Sequence, residues 1–135
     1  MSKGRILIVD DALFMRNLIG DVVSKAGFEV CGEGSNAVEG VELYKKLKPD
    51  LLTLDIVMPK MEEVDGITAV KQIVSLDPSA RIIVVSALAE KKLIRQALAY
   101  GAKEFIIKPF TSDKLLMVVK KVLSEEFIPD GGNAV

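Results

Sequence analysis

Short runs of consecutive apolar residues alternate along this chain with longer stretches in which apolar side chains recur every three or four positions. Solid apolar runs suit strands buried on both faces and the three-to-four spacing suits amphipathic helices, so the alternation predicts βα units around a parallel sheet. Five such units, in a single domain, account for the 135 residues. The first helix is predicted from Leu13 to Ala26, with Phe14, Leu18, Val22 and Ala26 at steps of four, Met15, Ile19 and Val23 beside them, and Gly27 as its stop. Phe28 to Cys31 reads as the second strand, and Asn36 followed by Glu39 as a capping box opening a helix through Leu47. Ile67, Val70, Ile73 and Val74 mark a third helix between Asp65-Gly66 and Asp77-Pro78. Leu93, Ile94, Ala97 and Leu98 mark a fourth, closed by Gly101, and Thr111 caps the last, which carries Leu115, Val118, Val119, Val122 and Leu123. Pro129-Asp130-Gly131-Gly132-Asn133 reads as a frayed tail.

Four of the apolar runs end alike. Ile6-Leu7-Ile8-Val9 stops at Asp10-Asp11, Leu51-Leu52-Thr53-Leu54 at Asp55, Ile82-Ile83-Val84-Val85 at Ser86, and Phe105-Ile106-Ile107 at Lys108-Pro109. In a parallel sheet these ends share the edge where ligands of such folds bind, so three carboxylates, a hydroxyl and an ammonium meet in one pocket. Only the second strand lacks such an ending, and an edge position keeps it out of the pocket.

Carboxylates about 4 Å apart at a semi-exposed site repel by roughly 4 kcal/mol per pair at an effective dielectric of about 20, so the three acids call for a cation. Mg²⁺ suits an all-oxygen set that a backbone carbonyl and a phosphate oxygen can complete. Asp55, the lone acid ending a central strand, is the candidate nucleophile toward a phosphoryl group, with Lys108 and Ser86 holding its oxygens. Singly, each residue reads better as a turn, a loop hydroxyl or a solvated charge; their joint appearance at four run ends favours the phosphoryl site.

Composition narrows the alternatives. Lys and Arg number 18 against 19 for Asp and Glu, which gives no electrostatic case for nucleic acid or a membrane as main partner. Lys3 and Arg5 precede an apolar run too short for a signal peptide and no run reaches membrane-spanning length, so a cytoplasmic protein is expected. Cys31, the one cysteine, reads as a buried thiol. The chain has no histidine, so any phosphoryl group must arrive from elsewhere.

Leu7-Ile8-Val9-Asp10-Asp11, Leu54-Asp55-Ile56-Val57-Met58-Pro59, Val85-Ser86-Ala87 and the segment from Gly101 to Lys108-Pro109-Phe110 together resemble the receiver domain of two-component response regulators, over about Arg5 to Leu123. The resemblance implies a flavodoxin-like, CheY-like (βα)5 fold, a doubly wound parallel sheet of strand order 2-1-3-4-5, with residues 1–124 as the receiver and 125–135 as a tail. It implies that Asp55 accepts a phosphoryl group from a histidine kinase, that Asp10, Asp11, Asp55 and the Val57 carbonyl organise Mg²⁺, and that the Lys108-Pro109 bond is cis. It also implies a switch in which the Ser86 hydroxyl moves toward the phosphoryl group and Phe105 turns inward, biasing an existing equilibrium.

With no output domain following, the chain most resembles the stand-alone chemotaxis members, a monomer that catalyses only its own phosphorylation and dephosphorylation and is not otherwise an enzyme. Its expected partners are the kinase, a flagellar motor switch protein and a phosphatase. The motor protein would meet the fourth helix, fifth strand and fifth helix, where Lys91, Lys92, Arg95 and Lys103 outnumber nearby acids. Three departures stand out. Phe105 replaces a frequent tyrosine; Glu62-Glu63-Val64 lengthens the loop before Asp65-Gly66 by about a helical turn; and Val57 and Leu88, at positions that tune dephosphorylation, are apolar, which predicts a long-lived phosphoryl bond.

Three rival readings remain. Gly32-Glu33-Gly34-Ser35-Asn36-Ala37 fits the dinucleotide fingerprint G-x-G-x-x-A of an NAD-binding oxidoreductase, but leaves the four polar run ends idle, and a tight turn before the second helix accounts better for those glycines. A phosphatase of the haloacid dehalogenase kind needs a second acid where Val57 stands. A receiver serving as a phosphorelay intermediate outside chemotaxis shares every feature above.

Overall fold

The computed structural model describes residues 3–57 and 65–125. The expectations for Met58-Pro59, for the Glu62-Glu63-Val64 insertion and for the tail beyond residue 125 lie outside the described residues. The elements run β1 (Arg5–Val9), α1 (Leu13–Lys25), β2 (Glu29–Gly34), α2 (Ala37–Leu47), β3 (Leu51–Leu54), α3 (Gly66–Leu76), β4 (Ile82–Ser86), α4 (Lys91–Ala99), β5 (Glu104–Ile107) and α5 (Ser112–Glu125). The strands are parallel in the order β2-β1-β3-β4-β5. Burial explains that order: β1, β3 and β4 are almost wholly apolar and buried and take the middle, whereas β2 and β5 each expose residues and take the edges.

Alternate strand residues face opposite sides. Leu7, Val9, Leu52, Leu54, Ile82 and Val84 pack with α2, α3 and α4, while Ile6, Ile8, Leu51, Ile83, Val85 and Ile106 pack with α1 and α5. Each fully buried aliphatic side chain among these contributes about 1.5–3 kcal/mol. Helix α1 buries Ile19 and Val23 against the sheet, with Met15 beside them. The stripe at steps of four is buried only in part: Val22 and Ala26 pack at the margin of that core, Leu18 and Val22 line a groove shared with Ser112 and Leu116 of α5, and Phe14 is 74% exposed. Both stripes are apolar, and a helix lying on one sheet face can bury only one of them fully.

The second strand is longer than its apolar run. Gly32 and Gly34 pair with Leu7 and Val9 inside β2 rather than forming a turn, which corrects the reading of those glycines. A Cβ at Gly32 would stand 2.6 Å from Leu47 Cδ1 and one at Gly34 3.2 Å from Leu43 Cδ1, so the missing side chains let α2 lie close on the strand. The register slips at Cys31, which is half-buried rather than buried; desolvation still pushes its thiol up from the ordinary value.

Asn36 caps α2 by accepting from the Glu39 amide at 2.7 Å, and Glu39 reaches back to the Ser35 amide instead of to the cap itself. At the amino edge of the sheet, the buried Tyr44 donates its hydroxyl to Asp77 at 2.8 Å. Burial and that bond push the phenol up, while Ser79 and Tyr44 hold the Asp77 carboxyl below its usual range. Tyr44→Phe should lower stability by about 1 kcal/mol in urea unfolding. An unchanged midpoint would mean that the bond makes no net contribution.

Candidate functional site

Asp10 and Asp55 follow the last residues of the paired central strands β1 and β3, and the Asp55 amide still bonds the Val9 carbonyl at 2.9 Å. Sheet pairing therefore sets the two carboxylates side by side. Asp10, Asp11 and Asp55 each place one carboxylate oxygen within 4.8 Å of the others; Asp10 and Asp55 are buried and Asp11 is exposed. Backbone amides hold one oxygen of each buried acid, Ala12 N donating to Asp10 Oδ1 at 2.9 Å and Val57 N to Asp55 Oδ1 at 2.8 Å.

Lys108 leaves the end of β5, where its amide continues the pairing with the Ser86 carbonyl at 2.9 Å and its bond to Pro109 is cis. Its Nζ reaches past β4 to Asp10 Oδ2 at 2.8 Å and Asp55 Oδ2 at 3.0 Å. Burial alone would lower the Lys108 pKa, but the bonds to Asp10 and Asp55 outweigh it and keep the ammonium above its ordinary value. Burial wins at Asp55, raising the carboxyl despite the Val57 and Lys108 bonds that favour its charge. The cation demanded by the clustered acids is thus partly supplied from within: Lys108, assigned from sequence to a phosphoryl oxygen, here bridges two acids.

Ser86 is buried at the end of β4, and its hydroxyl oxygen accepts from the Leu88 amide at 3.1 Å, which leaves the O–H able to donate elsewhere. Phe105 is partly buried against the cluster formed with α2, α3 and α4. Val57 and Leu88 are 44% and 43% exposed. The first residue of α3, Gly66, lies so close to Ile56 that a Cβ there would overlap the Ile56 Cα, and Asp65 caps that helix through the Thr68 amide at 2.7 Å.

One contact escaped the sequence reading. Arg16 of α1 donates from Nη1 to the Asp10 carbonyl at 2.7 Å and from Nε to Glu33 Oε1 at 3.1 Å. Its signal was a lone charge between the apolar residues Phe14-Met15 and Leu18-Ile19, six positions after Asp10.

The donor set at the carboxyl edge is all oxygen, with two carboxylates fixed by backbone amides and the third open to solvent, which fits a hard divalent ion such as Mg²⁺. The softer donor Cys31 lies on β2, and the chain has no histidine.

The response regulator receiver domain family matches residues 6–120. The chain is 49% identical over 118 residues to the chemotaxis protein CheY of Thermotoga maritima, covering 87% of this chain and 96% of that one, and 50% identical over 120 residues to CheY of Bacillus subtilis, covering 89% and 98%. Among solved structures it resembles the CheX–CheY–BeF3–Mg²⁺ complex of Borrelia burgdorferi, with a TM-score of 0.82, 38% identity and 87% coverage of both chains. A CheY-like receiver domain of Methanospirillum hungatei superposes with a TM-score of 0.82 at 29% identity, over 90% of this chain and 94% of that one. A strand order, an acid cluster at the carboxyl edge and relatives near half identity all agree, and the chain belongs to the response regulator receiver family.

Proposed function

We propose that Asp55 takes a phosphoryl group from a phosphohistidine on a kinase, and that the acyl phosphate so formed changes which partner this chain binds in the control of chemotaxis. The observation that carries this reading is the ammonium of Lys108 bonded at once to Asp55 and Asp10 within a cluster of three carboxylates. Mg²⁺, held by Asp10, Asp11, Asp55 and the Val57 carbonyl, would neutralise charge on the transferring group. In the transfer the donor P–N bond breaks as a bond from an Asp55 oxygen to phosphorus forms. Both Asp55 oxygens are held in place, Oδ1 by the Val57 amide and Oδ2 by Lys108, so the carboxylate meets the phosphorus in a fixed orientation. Lys108, already at Oδ2, then balances the added negative charge, and the Ser86 O–H donates to another phosphoryl oxygen.

Val57 and Leu88, two residues beyond Asp55 and Ser86, are exposed and apolar, and neither can orient a water for hydrolysis, so the acyl phosphate is long-lived. Beyond making and losing that bond the chain has no reaction of its own. The output surface is α4, β5 and α5, where exposed Lys91, Lys92, Arg95 and Lys103 accompany exposed Leu98, Ile107 and Met117. That surface suits an acidic, amphipathic segment such as a motor switch protein would present. The complex of the Borrelia relative with CheX and Mg²⁺ supports both the ion and a second protein partner.

Incubation with acetyl phosphate and Mg²⁺ followed by mass spectrometry should find one phosphoryl group per chain, mapped to Asp55 and absent when EDTA replaces Mg²⁺. Uptake on another residue, or none, would remove the proposal.

A further inference from the structure

The geometry assigns Arg16 a positioning role: its guanidinium, steadied by Glu33, holds the peptide plane between Asp10 and Asp11 and so aims both carboxylates at a divalent cation. This role rests on the metal reading above.

Each of the four polar atoms of Asp10 has a partner. Its amide donates to the Gly34 carbonyl at 3.0 Å, Oδ1 accepts from Ala12 N, Oδ2 from Lys108, and its carbonyl from Arg16. The carbonyl of Asp10 and the amide of Asp11 belong to one rigid plane, so whatever holds that carbonyl also sets the direction in which Asp11 leaves the strand. Asp11 is the exposed member of the cluster, and its placement depends on the backbone more than on packing.

Arg16 suits the task for three reasons. Its side chain is only 16% exposed, so it is not a freely moving surface charge. Its own amide bonds the Ala12 carbonyl at 3.1 Å, tying the guanidinium to the start of α1 immediately after the two acids. The planar fork lets Nη1 reach the carbonyl while Nε bonds Glu33, a division of labour that a lysine ammonium cannot reproduce. Strand β2 delivers no group to the pocket, yet its last two residues support it, Gly34 through the Asp10 amide and Glu33 through Arg16.

A bland alternative is that Arg16 merely offsets nearby negative charge. The two roles predict opposite signs. A guanidinium near a cation site repels the incoming ion, so a pure countercharge would bind Mg²⁺ more weakly while present and more tightly once removed. A positioning group does the reverse.

Calorimetric Mg²⁺ titration of the full chain should therefore show about tenfold weaker binding in Arg16→Met, the size of effect typical when a group orienting a metal ligand is lost. Arg16→Lys should recover part of the affinity. In the metal-free protein the Asp11 amide resonance should move in Arg16→Met while circular dichroism stays native. Should Arg16→Met fail to fold, Glu33→Ala and Glu33→Gln remove the same charge, but only glutamine keeps an oxygen for Nε, so Ala should bind Mg²⁺ more weakly than Gln. Equal or tighter binding by Arg16→Met, or equal affinities for the Glu33 pair, overturns the role. If the wild-type chain binds no Mg²⁺, the metal reading itself has failed and this role falls with it; binding by wild type and Arg16→Met alike condemns only the role of Arg16.

Discussion

Asp55→Asn is expected to accept no phosphoryl group from acetyl phosphate and, in EDTA, to gain stability over the wild type as pH rises. The first result follows from the loss of the attacking oxygen. The second follows from linkage. Burial holds the Asp55 carboxyl above its ordinary value, so the folded chain keeps a proton where the unfolded chain has already released it. For such a group stability is greatest below the unfolded value and falls as pH climbs from there through the folded value. Asparagine removes that titration, so the difference between variant and wild type should open across this window and then level off. Urea unfolding at a series of pH values measures it, and a difference that stays flat would contradict the assignment. Adding Mg²⁺ should reverse the ranking, because a ligand that binds the folded state stabilises the chain that binds it better.

Lys108→Met carries the largest expected cost to the fold. It leaves two buried carboxylates, 2.8 and 3.0 Å from the lost ammonium, without a cation between them. Removing one partner of a buried ion pair typically costs 3–5 kcal/mol, and about 3 kcal/mol is expected here because Asp55, already raised, takes up a proton instead. Mg²⁺ should recover more stability in this variant than in the wild type, since it no longer competes with the ammonium for Asp10 and Asp55. Thermal melts with and without Mg²⁺ test the point: an equal gain in both chains would show that Lys108 and the ion do not share those oxygens.

The parallel sheet and the acid cluster were legible because both depend on local pattern: solid apolar runs mark the central strands, and the residue that ends each run must lie at the same edge; the full strand order came from the family resemblance. Asp10, Asp55, Ser86 and Lys108 were placed in this way. Four things were not legible. The extent of β2 was missed because Gly32 and Gly34 read as turn residues, whereas their use is to admit Leu47 and Leu43 from α2. The buried stripe of α1 was not legible because Phe14 and Met15 head two adjoining apolar stripes, and which of them is buried is set by how the helix lies on the sheet. The double engagement of Lys108 and the hold of Arg16 on a backbone carbonyl were invisible, since the first depends on a reach across β4 and the second involves a main-chain atom that every residue possesses.

The close approach of Gly66 to Ile56 has a practical use for protein engineering. Ile56, just beyond β3, and Gly66, at the start of α3, are in contact, so the two ends of the intervening sequence are clamped together. Closure entropy grows only with the logarithm of loop length, about 0.6 kcal/mol for each doubling. A fluorescent reporter or affinity tag spliced between those two clamped ends should therefore cost the fold little, because the contact of Gly66 with Ile56 keeps β3 and α3 together whatever is inserted.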